Sequence, residues 1–175
     1  MIRASGSRIC IIGGSATGKS TLAKRLGDKY GFPVHHLDQY HHEPNGNWIK
    51  RPAEEYLRLH DAAIEGESWI IEGNYTMSMP QRFERADTII QLNMNRFGSL
   101  WRAWRRHMDT DKRVGIISNE KVKLKWSFIW WIIEPKYLNS DRRRKEKIQK
   151  ELLKKHAHKL IKVRSFGEIN KLTRQ

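Results

Sequence analysis

Cysteine is nearly missing from this chain, long apolar runs are missing altogether, and acidic residues are scarce in its second half. One cysteine, Cys10, excludes an internal disulfide. It sits inside the apolar run Ile9-Cys10-Ile11-Ile12 and reads as core, because a free Cys packs as a small hydrophobe. The opening MIRASGSRIC carries no extended apolar stretch of the kind a secretory signal needs. The most apolar later window, WSFIWWII (Trp126 to Ile133), is far shorter than the ~20 residues that span a bilayer. No transmembrane segment is therefore expected. No internal repeat or low-complexity linker divides the sequence either.

The shortage of acid is local. Residues 1–87 hold 11 Lys+Arg and 11 Asp+Glu and balance to zero. Residues 88–175 hold 23 basic and 8 acidic residues, which accounts for the whole net charge of +15. Such a surface attracts polyanions: nucleotides, nucleic acid or acidic membrane. For any single charge, the plain alternative is a solvated surface residue.

What remains is enough for one folded domain. There are 175 residues, 38% hydrophobic and 30% charged, which fits a globular chain rather than a disordered one. The patterning predicts strands over Ile9–Ile12, Phe32–Asp38, Ser68–Tyr75, Ala86–Met94 and His158–Ser165. Helices are predicted over Lys19–Lys29, Pro52–Ile64, Arg96–Met108 and Phe166–Leu172. Strands alternating with helices imply an α/β fold with a parallel sheet covered on both faces. Ligands of such sheets bind at the carboxyl ends of strands. That directs attention to Gly13, Asp38, Glu72 to Tyr75, and Asn93 to Arg96. The stretch Asp109 to Asn139 is long for a simple connection and reads as a lid or insertion.

The first strand end carries the strongest signal. Gly13-Gly14-Ser15-Ala16-Thr17-Gly18-Lys19-Ser20 fits G-x-x-x-x-G-K-[ST] in full, after a strand and before a helix. Chance supplies this pattern in about one of a few hundred chains of this length. Glycines let the backbone approach closely, and successive N–H groups then form an anion nest. The helix start adds unpaired N–H groups and its dipole. Lys19 supplies charge for the β and γ phosphates, and Ser20, followed by Thr21, offers a hydroxyl to Mg²⁺. The expected ligands are ATP and Mg²⁺. A dinucleotide loop is disfavoured, because G-x-G-x-x-G is absent. A nucleotide motif beside a lone cysteine places the protein in a reducing cytoplasm.

Other strand ends suggest transfer. Asp38 could orient or deprotonate an acceptor hydroxyl, or hold a Mg²⁺-bound water; its alternative is a capping or loop carboxylate. Glu72 stands where an acid would meet Mg²⁺; its alternative is a charge on a strand flank. Gly73, Asn74 and Tyr75 would line the acceptor pocket. Arg102 and Arg106 share a helix face, and Arg105 could substitute, for neutralising charge during transfer. Arg142-Arg143-Arg144 follow the lid stretch as further candidates. His35, His36, His41 and His42 bracket Asp38, but neighbours on a strand point to opposite faces, which argues against a metal site.

On these residues the chain resembles P-loop kinases of the adenylate and shikimate kinase group. The segments VHHLDQYHHEPNGNW, WIIEGNY and RFERADTIIQLN resemble more closely the bacterial DNA topology modulation (FlaR-related) proteins. The resemblance implies a three-layer P-loop NTPase fold: a five-stranded parallel sheet of order 2-3-1-4-5, helices on both faces and a helical lid insertion. It implies one domain, 1–175, with an acceptor-binding helical region at about 45–66 and a lid at about 107–140. Glu72-Gly73 align with the Asp-Gly of adenylate kinases. Tyr75-Thr76 stand where those enzymes carry the Pro-Arg that grips a nucleoside monophosphate. A small-molecule acceptor is expected, with its identity open.

The block Trp126-Ser127-Phe128-Ile129-Trp130-Trp131-Ile132-Ile133 is too continuous for a simple amphipathic helix. It fits a helix packed on the sheet or buried in a homodimer, or a stacking platform beside Lys121, Lys123 and Lys125. Two functions follow. One is an ATP-dependent kinase. The other is a nucleic-acid-binding regulator, affecting DNA topology, that uses ATP as a ligand or switch through the basic C-terminal half.

Overall fold

The computed structural model describes residues 6–44, 49–94 and 140–173. Its strands are β1 (Arg8–Gly13), β2 (Val34–His36), β3 (Trp69–Glu72), β4 (Thr88–Leu92) and β5 (Leu160–Val163). They form one sheet of order β2-β3-β1-β4-β5, with every pairing parallel. The helices are α1 (Lys19–Tyr30), α2 (Leu37–His41), α3 (Ala53–Ile64), α4 (Met79–Arg85), α5 (Ser140–Lys155) and α6 (Phe166–Thr173). The order is the 2-3-1-4-5 that the family resemblance implies.

The apolar run at the front becomes the central strand because both faces of it can be covered. Ile9 and Ile11 face Leu22, Ala23 and Leu26 of α1, with Ile169 and Leu172 of α6. Cys10 and Ile12 face the other way, toward Leu37, Tyr56, Ile64, Met79, Phe83 and Leu153. All four β1 residues are fully buried. Each aliphatic side chain removed from water this way contributes about 1.5–3 kcal/mol. Two cores, one on each face, thus hold the carboxyl ends of β1, β2 and β3 side by side.

Three elements differ from the sequence reading. The second strand stops at His36, and Asp38 lies in the first turn of α2 instead of closing a strand. Leu37 is fully buried in the second core, so the chain leaves the sheet there. Asp38 then sits where a helix dipole favours an acid. Helix α4 was not foreseen, because MPQRFER is short and three of its seven residues are charged; its Phe83 is buried and its N-terminus holds Pro80. Helix α5 was also missed, since only Ile148, Leu152 and Leu153 interrupt its polar sequence. The predicted helix Arg96–Met108, the lid stretch Asp109–Asn139, its aromatic block and Trp48 lie outside the described residues. Among the described residues no helix is long and apolar enough to cross a membrane.

Candidate active site

The loop Gly13 to Ser20 leaves the central strand and enters α1. Gly13 has φ of 155°, and a Cβ there would lie 2.7 Å from the Leu92 carbonyl oxygen of β4. Only glycine lets the two backbones pass so closely. Gly18 forms the N-cap of α1 in the left-handed region, with φ of 94° and no side-chain cap. No acid stands in the first turn of α1. A helix start with neither a capping side chain nor an acid favours an anion. Ala16, at φ of 56°, is the one non-glycine with positive φ among the described residues. Thr17 donates its hydroxyl to the Gly14 carbonyl at 2.9 Å, closing the loop on itself. Lys19 reaches back over the loop, its Nζ donating to the same carbonyl at 2.9 Å. Gly14, Ser15 and Ala16 form the crest of the loop, and Thr21 lies exposed in the first turn of α1.

Ser20, one residue further, donates its Oγ to Glu72 Oε1 at 2.9 Å. The same oxygen is bonded to His36 Nδ1, also at 2.9 Å. Register brings these together: His36 and Glu72 are direct partners across the β2–β3 ladder. The Glu72 side chain is only 4% exposed. Burial alone would raise its pKa. The bond to His36, the charge of Lys19 and the bond from Ser20 outweigh burial and hold it below the usual carboxylate range. A buried anion beside a serine hydroxyl, at the mouth of an anion-binding loop, is an oxygen donor set suited to Mg²⁺. That ion takes one or two protein oxygens and completes its shell with water and phosphate. Among the described residues no group of three or more His, Cys, Asp or Glu could hold a metal by itself.

Asp38, at the start of α2, is exposed. Tyr75 donates its hydroxyl to Asp38 Oδ1 at 2.6 Å. Burial first, then the Asp38 charge and hydrogen bond, push the Tyr75 pKa far up, so it stays a donor. The Tyr75 ring stacks on His41 with centroids 4.4 Å apart. The proton affinity of His41 is lowered, chiefly by burial, with His42, Lys50 and Lys145 adding to it and Asp38 opposing. His35 is turned to Tyr40, with Nδ1 and the hydroxyl 2.6 Å apart. Burial lowers its pKa as well. His35 and His36 therefore serve opposite faces and share no site.

Asn74, expected in the acceptor pocket, has both ends of its amide on the phosphate loop. Gly13 N–H donates to its Oδ1 at 3.0 Å, and its Nδ2 donates to the Gly13 carbonyl. Gly73 is buried, and its N–H continues the β1–β3 ladder to the Ile11 carbonyl at 3.1 Å. Arg82 of α4, missed by sequence reasoning, is fully buried. It donates to the carbonyls of Gly73 at 2.9 Å and Tyr75 at 3.1 Å, and to Ser78 Oγ at 2.7 Å. The pairing of His36 with Glu72 depends on register, which no local pattern carries. Arg102, Arg105 and Arg106 lie outside the described residues. Arg143 and Arg144 are exposed on α5.

The fold is that of the P-loop kinases. Shikimate kinase from Acinetobacter baumannii in complex with shikimate is similar at 16% identity and a TM-score of 0.53, covering 98% of this chain and 90% of that one. A gluconokinase from Sinorhizobium meliloti 1021 is similar at 14% identity and a TM-score of 0.53, covering 99% of this chain and 90% of that one. No protein-family model matches the chain, and no curated protein matches it in sequence. The likeness is one of fold. Within the P-loop kinase fold, the loop of Gly13 to Ser20, Glu72 and the Asp38–Tyr75 pair gather around the carboxyl ends of adjacent strands.

Proposed function

We propose that the protein is an ATP- and Mg²⁺-dependent phosphotransferase acting on the hydroxyl of a small acceptor. The observation that carries this is the junction of three groups at neighbouring strand ends. The phosphate loop carries Lys19, Ser20 is bonded to buried Glu72, and the Asp38 carboxylate is held by Tyr75. Membership of the P-loop kinase fold, shared with a shikimate kinase and a gluconokinase, supports the same reading.

ATP supplies the phosphoryl group, and Mg²⁺ spreads the charge of its phosphates. The chain's own residues do the rest. Backbone N–H groups of Gly14 to Ser20 and the start of α1 bind the phosphate tail. Lys19 leaves the Gly14 carbonyl and follows the charge that builds on the transferring group. Ser20 and Glu72 hold the metal. Asp38 accepts a hydrogen bond from the acceptor hydroxyl, aligns it for attack and takes its proton, while Tyr75 fixes the carboxylate. The new bond joins the acceptor oxygen to the γ-phosphorus, and the bond from that phosphorus to the β–γ bridging oxygen breaks. In this reading the domain spans 1–175, residues 45–66 receive the acceptor, and 107–140 form a lid. Arg102 and Arg106 neutralise charge from its root.

The test is ATP consumption across nucleosides, nucleotides, sugars and shikimate-like acids, with Lys19→Ala beside the wild type. Turnover with one acceptor class, abolished in the variant, is the expected result. Normal turnover in Lys19→Ala would remove the mechanism.

A second reading has its own support. Helix α5 exposes Arg143, Arg144, Lys145, Lys147, Lys150, Lys154 and Lys155, and among its described side chains buries Leu153. Such a face suits a nucleic acid, and with ATP as switch it fits a regulator of DNA topology. Duplex affinity falling by decades between about 50 and 200 mM salt, and dependent on ATP, would favour it over the kinase.

A further inference from the structure

The segment Gly73-Asn74-Tyr75 touches both halves of the site. Asn74 is exposed, yet both ends of its amide are spent on one residue, Gly13. The β1–β3 ladder ends with Gly73 N–H on the Ile11 carbonyl. The Asn74 side chain adds one more pair of bonds beyond that point, as a further strand residue would. It satisfies the N–H and the carbonyl of the first residue of the phosphate loop. Its neighbour Tyr75 turns the opposite way and holds Asp38.

Two carbonyls flank Asn74, those of Gly73 and Tyr75, and both accept from the buried Arg82 guanidinium. A buried guanidinium is costly unless its donors are used. Here Nη1 and Nη2 are spent on main-chain carbonyls and on Ser78, whose Oγ is also 2.6 Å from the Tyr56 hydroxyl in the second core, while the buried Nε has no hydrogen-bond partner. The segment is therefore held at the Gly73 and Tyr75 carbonyls, one on either side of Asn74.

We propose that Asn74, Tyr75 and Arg82 form a positioning clamp that sets the phosphate loop against Asp38. Asn74 fixes Gly13 on the nucleotide side, Tyr75 fixes Asp38 on the acceptor side, and Arg82 joins the two. This assigns Asn74 to nucleotide affinity. It rests on the phosphotransferase reading, because it takes the loop to be the nucleotide site.

The clamp is tested by calorimetric binding of Mg-ADP to the full chain, with thermal midpoints measured in parallel. The variants are Asn74→Ala, Tyr75→Phe and Arg82→Gln. Asn74 is exposed, so its removal leaves both cores intact. Wild type should bind, Asn74→Ala and Arg82→Gln should bind at least about tenfold more weakly, and Tyr75→Phe should stay within about twofold. The midpoint of Asn74→Ala should match the wild type. If Arg82→Gln does not fold, the contrast between Asn74→Ala and Tyr75→Phe decides. Wild-type binding with Asn74→Ala unchanged overturns the clamp and leaves the kinase reading intact. Equal weakening in all variants, tracking loss of the midpoint, overturns it too, because that is ordinary packing. Absence of binding by the wild type overturns the phosphotransferase reading and the clamp with it.

Discussion

The β1–α1 corner and the β2–α2 corner stand at the same end of one sheet but are built from opposite materials. The first is main chain: glycines, a left-handed N-cap without a side-chain cap, and no acid in the first turn of α1. The second is side chain: Asp38 in the first turn of α2 accepts from Tyr75, whose ring stacks on His41, while His35 pairs with Tyr40. A phosphate chain is a repeated, highly charged object that peptide N–H groups can bind without specialised side chains. On the proposed function, a small acceptor must be told from its neighbours, and only side chains can do that. One corner therefore has a sequence signature and the other has none.

Substitutions can break this contrast. The largest effect belongs to Lys19→Ala, which should take ATP turnover to background with the thermal midpoint unchanged. Next, Asp38→Asn should lower kcat by about 10²–10⁴-fold while Mg-ADP affinity stays within about twofold. If it weakened both equally, the two corners would not be separable. Glu72→Gln, which keeps shape but loses charge, should raise the Mg²⁺ needed for half-maximal turnover by about tenfold or more. Gly13→Ala forces a Cβ to 2.7 Å from the Leu92 carbonyl oxygen, so chemical denaturation should show about 1–3 kcal/mol of lost stability.

How much of this the sequence discloses follows from the same contrast. The Gly13–Ser20 loop is contiguous, and each of its parts has a local cause. β1, β3, β4, α1 and α3 show their periodicity directly. The second strand was read too long, because nothing in HHLD says that Leu37 must turn into the core. Glu72 meets Ser20 across 52 positions and His36 across 36. These meetings require the strand order, which only the family resemblance supplied, and the β2–β3 register, which nothing supplied. Arg82 looked like one more surface charge in MPQRFER. Its burial depends on two carbonyls nine and seven positions away, presented by a turn whose shape no pattern predicts.

The smallest effect concerns acid. His35, His41, His60 and His156 all have lowered proton affinity, in each case chiefly through burial. Their stabilising contribution is fully present above the ordinary histidine pKa of about 6.5 and is lost as pH falls toward their lowered folded values. The thermal midpoint should therefore decline between about pH 7 and 5.5. Glu72, whose pKa is lowered, should add a further decline only below about pH 4.5. His35 and His41 lie at the β2–α2 corner, so acid should loosen the side-chain corner before the main-chain one.

The most direct measurement compares binding of AMP, ADP and ATP, each with Mg²⁺, to wild type and to Lys19→Ala. Affinity that rises steeply once the β phosphate is present, and falls in the variant, is the predicted result. Equal affinity for all three nucleotides, or binding indifferent to Lys19, would contradict a phosphate-gripping loop at Gly13–Ser20.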